Sequence, residues 1–176
     1  MNSEQRIGVL FVCLGNICRS PLAKWIFTDL TLRRGVRDRF EIDSCGTGHW
    51  HVGKGADPRS VATALRRGID ATHTARRLQP ESDFTRFDYL LAMDTDNREN
   101  LLHAGAPADR VFLMRSFDPA LQEEPEHRLV VPDPSMHKFV HTIHKYSCPS
   151  TSGSFRNSCS SPSTVRIWSS TSFAAA

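Results

Sequence analysis

Apolar residues run almost without a break from Ile7 to Cys13 (IGVLFVC). A run this short, rich in β-branched and aromatic side chains, suits a strand buried on both faces of a parallel sheet. A polar, glycine-containing loop over 14–19 follows it. Leu22, Trp25, Ile26 and Leu30 then recur at helical spacing. Ser20 is a good N-cap for that helix, Pro21 suits its first position and Gly35 its end. Phe40–Asp43 predicts a short second strand. A long loop with Gly46, Gly48, Gly53, Gly55 and Pro58, which also holds Trp50, separates it from a helix over Arg59–Arg67 stopped by Gly68. Phe87–Met93 reads as another buried strand, Asp94 as the cap of a helix over Thr95–His103, and Arg110–Met114 as a fourth strand. Strands alternating with helices imply right-handed crossovers and an α/β fold. The expectation is a single Rossmann-like domain, a four-stranded parallel sheet flanked by helices. Its strand order is left open. Ligands of such sheets lie beyond the C-terminal strand ends, and the loop after Cys13 sits at one.

The pattern changes after Pro134. Residues 135–176 contain 12 serines, no Asp or Glu and no clear helical period. This divides the chain into a domain over 1–134 and a Ser-rich tail, expected to be disordered or poorly packed. All 19 acidic residues lie at or before Asp133, while Lys138, Lys145, Arg156 and Arg166 make the tail basic. A net charge of +3, with no basic stripe interleaved with aromatics, argues against a nucleic-acid module. No apolar run approaches the roughly 20 residues that span a bilayer. The polar N-terminus does not open a signal peptide, which points to the cytoplasm. Five cysteines without a regular framework fit a reducing compartment. His141, His144, Cys148 and Cys159 match no common zinc spacing well.

The chemistry concentrates in Cys13-Leu14-Gly15-Asn16-Ile17-Cys18-Arg19-Ser20. Successive backbone N–H groups in a loop between strand end and helix start form an anion nest, and the helix N-terminus adds to it. Arg19 supplies a planar fork for two phosphoryl oxygens. Positive surroundings of this kind activate a cysteine nucleophile such as Cys13. Gly15 and Asn16 tolerate the left-handed backbone that a tight loop needs. The plainer reading, a buried strand-end cysteine and a helix-entry cation, does not account for the coincidence of Gly, Asn and Ser-Pro with the Cys-x5-Arg spacing.

VCLGNICRSP (Val12–Pro21) resembles the signature of the low-molecular-weight protein tyrosine phosphatases. SCGTGHWHVG (Ser44–Gly53), GIDATHTARRL (Gly68–Leu78), LLAMDTDN (Leu90–Asn97) and VPDP (Val131–Pro134) resemble further segments of that family, in its order. The resemblance implies a cysteinyl-phosphate mechanism that needs no metal or cofactor. Cys13 would attack, with Arg19 and the backbone of Leu14, Gly15, Asn16, Ile17 and Cys18 binding phosphate. Asp133 would act as general acid, Ser20 would assist the sulfur, and Asn16, Ser44 and His73 would support the loop. Trp50 would wall the cleft for a phosphotyrosine-containing protein. Cys18 would pair with Cys13 under oxidation. By its residue type alone Asp133 is equally a turn residue, and His73 a surface or satisfied histidine. A monomer, or weak self-association, is the expectation.

The family pattern breaks after Asp133-Pro134. Ser135 and Met136 stand where two tyrosines and glycines are normal, and the final covering helix is not legible. The tail looks like a chain read out of frame, which an intact frame at the locus would reject. A catalytically impaired phosphate-binding module is therefore an alternative. An arginine phosphatase of the same fold would carry threonine where Ile17 stands. A thiol-dependent arsenate reductase needs a cysteine relay, and no cysteine lies between Cys45 and Cys148.

Overall fold

A computed structural model describes residues 6–134; the Ser-rich tail and its histidines and cysteines lie outside the described residues. Four strands, β1 (Ile7–Cys13), β2 (Phe40–Gly46), β3 (Tyr89–Ala92) and β4 (Val111–Leu113), form one parallel sheet in the order β2-β1-β3-β4. Helix α1 (Arg19–Arg33) links β1 to β2, α2 (Pro58–Leu65) and α3 (Pro80–Arg86) lie between β2 and β3, and α4 (Thr95–His103) links β3 to β4. The chain steps outward from β1 to β2, then from β3 to β4 in the opposite direction. Right-handed crossovers then place α1 and α4 on opposite faces, and the gap between β1 and β3 becomes the switch point where such sheets bind ligands.

Alternation along the strands builds the two faces. Leu10 and Val12 pair in register with Leu90 and Ala92, and this face packs on Leu101, Val111, Leu113, Phe87 and Leu78. On the other face Phe11 meets Phe27 of α1 edge-on at 5.8 Å, and Phe27 meets Phe40 at 5.4 Å. Both faces of β1 are buried, which is why its sequence reads as a continuous apolar run. At Gly8 a Cβ would lie 2.6 Å from the Arg86 carbonyl oxygen, so the base of β1 admits no side chain there.

Several elements differ from the sequence expectation. β2 runs on to Gly46 and pairs with the whole of β1, from Ile7↔Phe40 to Cys13↔Gly46. Helix α1 begins at Arg19 with Cys18 at its N-cap, and no side chain caps it. Ser20 is thus inside the first turn, not the cap, because its hydroxyl is engaged by Cys13 and Asn16. The buried face of α1 uses Leu22, Trp25 and Phe27, while Leu30 is exposed. Helix α3 has no counterpart in the hydrophobic pattern; its signals are Pro80 in the first turn with Glu81 and Asp83 behind it. Asp94 does cap α4, accepting from the Asn97 amide at 2.7 Å.

Candidate active site

The loop after β1 is shaped by what holds its carbonyl groups. Cys13 O accepts from the Thr47 amide at 3.0 Å, Leu14 O from Gly48 at 2.8 Å and Ile17 O from Asp57 at 2.8 Å. Asn16 O lies 2.7 Å from His73 Nε2. A trans peptide sets its N–H opposite its C=O. Drawing these carbonyls outward therefore turns the amides of Leu14, Gly15, Ile17 and Cys18 the other way. The result is a concave set of donors at the mouth of α1, suited to an anion.

Asn16 is the hinge of this geometry. It is fully buried with φ of 52°, the left-handed region that Asn tolerates better than most residues. That conformation points its amide at Cys13 Sγ, 3.2 Å away. Its side-chain amide donates to Ser20 Oγ at 2.9 Å and to Ser44 Oγ at 3.0 Å, and its Oδ1 accepts from the Arg76 amide at 2.9 Å. Ser20 Oγ lies 3.0 Å from Cys13 Sγ. Ser20 Oγ accepts from Asn16, and its own proton has two acceptors in reach, Cys13 Sγ at 3.0 Å and Cys45 O at 3.4 Å. Gly46 closes the floor: a Cβ there would lie 2.8 Å from Leu14 O and 3.2 Å from Asn16 N.

Arg19 is buried at the start of α1. One terminal nitrogen donates to Asp94 Oδ2 at 2.5 Å and to Val131 O at 3.2 Å; the other donates to Asp133 Oδ2 at 3.0 Å. Val131 is itself tied to the end of β3 through its amide and Met93 O, 2.6 Å. The segment bearing Asp133 is thereby brought to the Cys13 loop from 114 residues away in sequence. Trp50 is half exposed and lies over Gly48 beside the loop mouth. Cys18 faces Asp57; burial first, then the Asp57 charge, push its thiol up to about 12. Cys13, Cys18 and Cys45 are all free thiols.

Every residue expected from sequence at this site is therefore found around the loop: Cys13, Leu14 through Arg19, Ser20, Ser44, His73, Trp50 and Asp133. Sequence reasoning missed Asp94 as the partner of Arg19, although it was recognised as a helix cap. It also missed Arg76 and Asp57. Only tertiary contact assigns them, since each acts on a group at least 39 residues distant or, for Arg76, through its backbone.

Residues 8–146 match the family model for low molecular weight phosphotyrosine protein phosphatase. The chain belongs to that family. It is 47% identical over 111 residues to the low molecular weight phosphotyrosine protein phosphatase of Schizosaccharomyces pombe, covering 62% of this chain and 70% of that protein. The Sus scrofa protein of the same name is 41% identical over 131 residues, covering 72% and 78%. Among solved structures, a protein tyrosine phosphatase from Entamoeba histolytica superposes with a TM-score of 0.66 at 34% identity, over 74% of this chain and 81% of that one. The matched residues 8–146 include the whole Cys13 loop and Asp133.

Proposed function

We propose that this chain hydrolyses phosphotyrosine in proteins, and small aryl phosphates, through a cysteinyl-phosphate on Cys13. The observation that carries this reading is the convergence on one sulfur. Cys13 Sγ has the Asn16 amide at 3.2 Å, Ser20 Oγ at 3.0 Å and a concave row of amides beside it, with Arg19 and Asp133 paired at the same mouth.

In the first step Cys13 Sγ attacks phosphorus and the bond from phosphorus to the aryl oxygen breaks. The electron pair leaves with that oxygen, which takes a proton from Asp133. The loop amides and Arg19 hold the three equatorial oxygens throughout. For this, the phosphoryl group takes the place of Asp133 on one Arg19 nitrogen while Asp94 keeps the other. Displaced from the guanidinium, Asp133 is left beside the leaving group. In the second step Asp133 accepts a proton from the attacking water, the S–P bond breaks, and the Ser20 hydroxyl stabilises the departing thiolate. Trp50, half exposed at the mouth, offers a face to an aryl ring that a phosphoserine side chain would not reach.

No helix among the described residues is long and apolar enough to cross a membrane. We place the enzyme in the cytoplasm, because a thiol nucleophile needs a reducing compartment to persist.

The test is hydrolysis of p-nitrophenyl phosphate and of a phosphotyrosyl peptide, with vanadate as inhibitor. Cys13→Ser is expected to abolish turnover, and Asp133→Ala to lower kcat by roughly 10²-fold or more. Folded wild-type protein that binds vanadate without turnover would instead mark a phosphate-binding module.

A further inference from the structure

Behind the loop, on the side away from the substrate, lies a network of charges that the reaction does not touch. Asp83 of α3 is buried, with its side chain only 3% exposed. It accepts both terminal nitrogens of Arg76, at 2.9 and 3.1 Å, and the Gln79 amide at 2.8 Å. The Nε of Arg76 donates to Asp43 Oδ2 at 2.9 Å, and Lys24 of α1 donates to Asp43 Oδ1 at 2.8 Å. The guanidinium of Arg76 is thus held on two edges by carboxylates from β2 and α3. Such a bidentate, charge-assisted arrangement fixes orientation as well as distance.

The backbone of Arg76 is what this fixes. Its carbonyl accepts from the Gly46 amide at 2.9 Å, and its amide donates to Asn16 Oδ1 at 2.9 Å. Asn16 Oδ1 is the acceptor end of the side chain whose other end holds Ser20 and Ser44. Orienting this amide decides which end of the Asn16 side chain faces the serines. It thereby decides whether the Ser20 proton is free for Cys13 Sγ.

We infer that Asp83, acting through the Arg76 guanidinium and the Arg76 amide, is a positioning residue for the Asn16–Ser20–Cys13 unit. The inference rests on the phosphatase reading of that loop, and wild-type turnover tests that reading separately. Outer-shell partners that orient a working side chain typically matter by about 10- to 100-fold. Asp83→Asn keeps the shape and one acceptor oxygen but loses the charge that binds Arg76. It is expected to lower kcat for p-nitrophenyl phosphate by about tenfold and to leave KM close to wild type. Asp83→Glu is expected to recover part of that loss.

A double-mutant cycle separates positioning from general destabilisation. In an Asn16→Ala background the Asp83→Asn change can no longer reach Ser20 through the Asn16 side chain and keeps only the Gly46 contact of the Arg76 carbonyl, so kcat falls by much less than it does in the wild-type background. Assays run well below the unfolding temperature of each variant. If Asp83→Asn does not fold, Asp43→Asn, which removes the other carboxylate from a less buried site, carries the same cycle. Unchanged kcat in the Asp83 variant, or losses that multiply with those of Asn16→Ala, would overturn the inference. Should wild type bind vanadate without turnover, the same cycle read on the vanadate dissociation constant decides it.

Discussion

At the scale of single residues, the site works by giving one side chain two partners whose demands agree. Asp94 uses Oδ1 to cap α4 and Oδ2 to hold Arg19, so the helix start and the cation are set by one carboxylate. Asp57 does the same for α2 and Cys18: Oδ1 accepts from the Arg59 amide at 2.8 Å, while the group faces the Cys18 thiol. The Arg59 side chain, hydrogen-bonded and charged, holds the Asp57 carboxyl down at about 2. Cys18 therefore sits next to a permanent negative charge and, already disfavoured as an anion by burial, stays protonated near neutral pH. Since the thiolate is the reactive form, Cys18 is expected to resist alkylation by iodoacetamide in the native protein, read by peptide mass spectrometry. Asp57→Asn keeps a capping oxygen but removes the charge. Its thiol pKa falls, and labelling of Cys18 at about pH 9 should speed up several-fold. Labelling at the wild-type rate would show that burial alone governs this thiol.

At the scale of elements, β1 carries a constraint at each end, and the two ends differ in what they support. A Cβ at Gly8 would meet backbone of 86–87 at 2.6 and 2.8 Å; one on β2 at Gly46 would meet the Leu14 carbonyl at 2.8 Å. Backbone atoms cannot swing aside, so either alanine forces the chain to shift at a cost of about 1–3 kcal/mol. Gly8→Ala is expected to lower the unfolding midpoint and leave kcat near wild type. Gly46→Ala should lower both, because the displaced carbonyl belongs to the loop that binds the anion. Equal kcat for the two variants would contradict the assignment of Gly46 to the floor of the site. The hydrophobic pattern made β1 and α4 legible because each is decided locally, by a doubly buried run in one case and an Asp cap in the other. It cut β2 short at Asp43, since Ser44, Cys45 and Gly46 look like loop, and only pairing with the end of β1 makes them strand. Helix α3 escaped notice because its seven residues bury little beyond Asp83. The site residues were legible for a different reason: loop chemistry needs particular residue types at particular spacings. Asp94, Arg76 and Asp83 support that loop from other elements, where spacing says nothing.

At the scale of the whole molecule, acidification acts through groups whose proton affinity differs between the folded and unfolded chain. Burial holds the His73 pKa below its ordinary value, outweighing the pull of the Asn16 carbonyl in the other direction. The unfolded chain takes up this proton near pH 6.5, and the folded chain only at lower pH. Between the two, the unfolded state binds more protons, so stability falls as pH drops through that window and is fully present above it. Asp43 behaves differently. Burial would raise its pKa, but the hydrogen bond and charge of Lys24 and the charge of Arg76 prevail and hold it below the ordinary value. Its contribution is present above the unfolded value of about 3.9 and is lost as pH falls toward the lower folded one. Two separate declines are therefore expected in the urea midpoint, one starting near pH 6.5 and one starting near pH 4. His73→Gln retains an amide donor for the Asn16 carbonyl and cannot titrate, so it should flatten the first decline and leave the second. Asp43→Asn should leave the first decline and diminish the second, to which the lowered Asp57 carboxyl also contributes, from a lower starting stability because it loses its charged partners. Asp43 braces Asn16 through Arg76, so loss of its charge at low pH is expected to lower kcat for p-nitrophenyl phosphate as Asp43→Asn does. A first decline that persists undiminished in His73→Gln would assign it to another histidine and detach this support of the loop from the acid response.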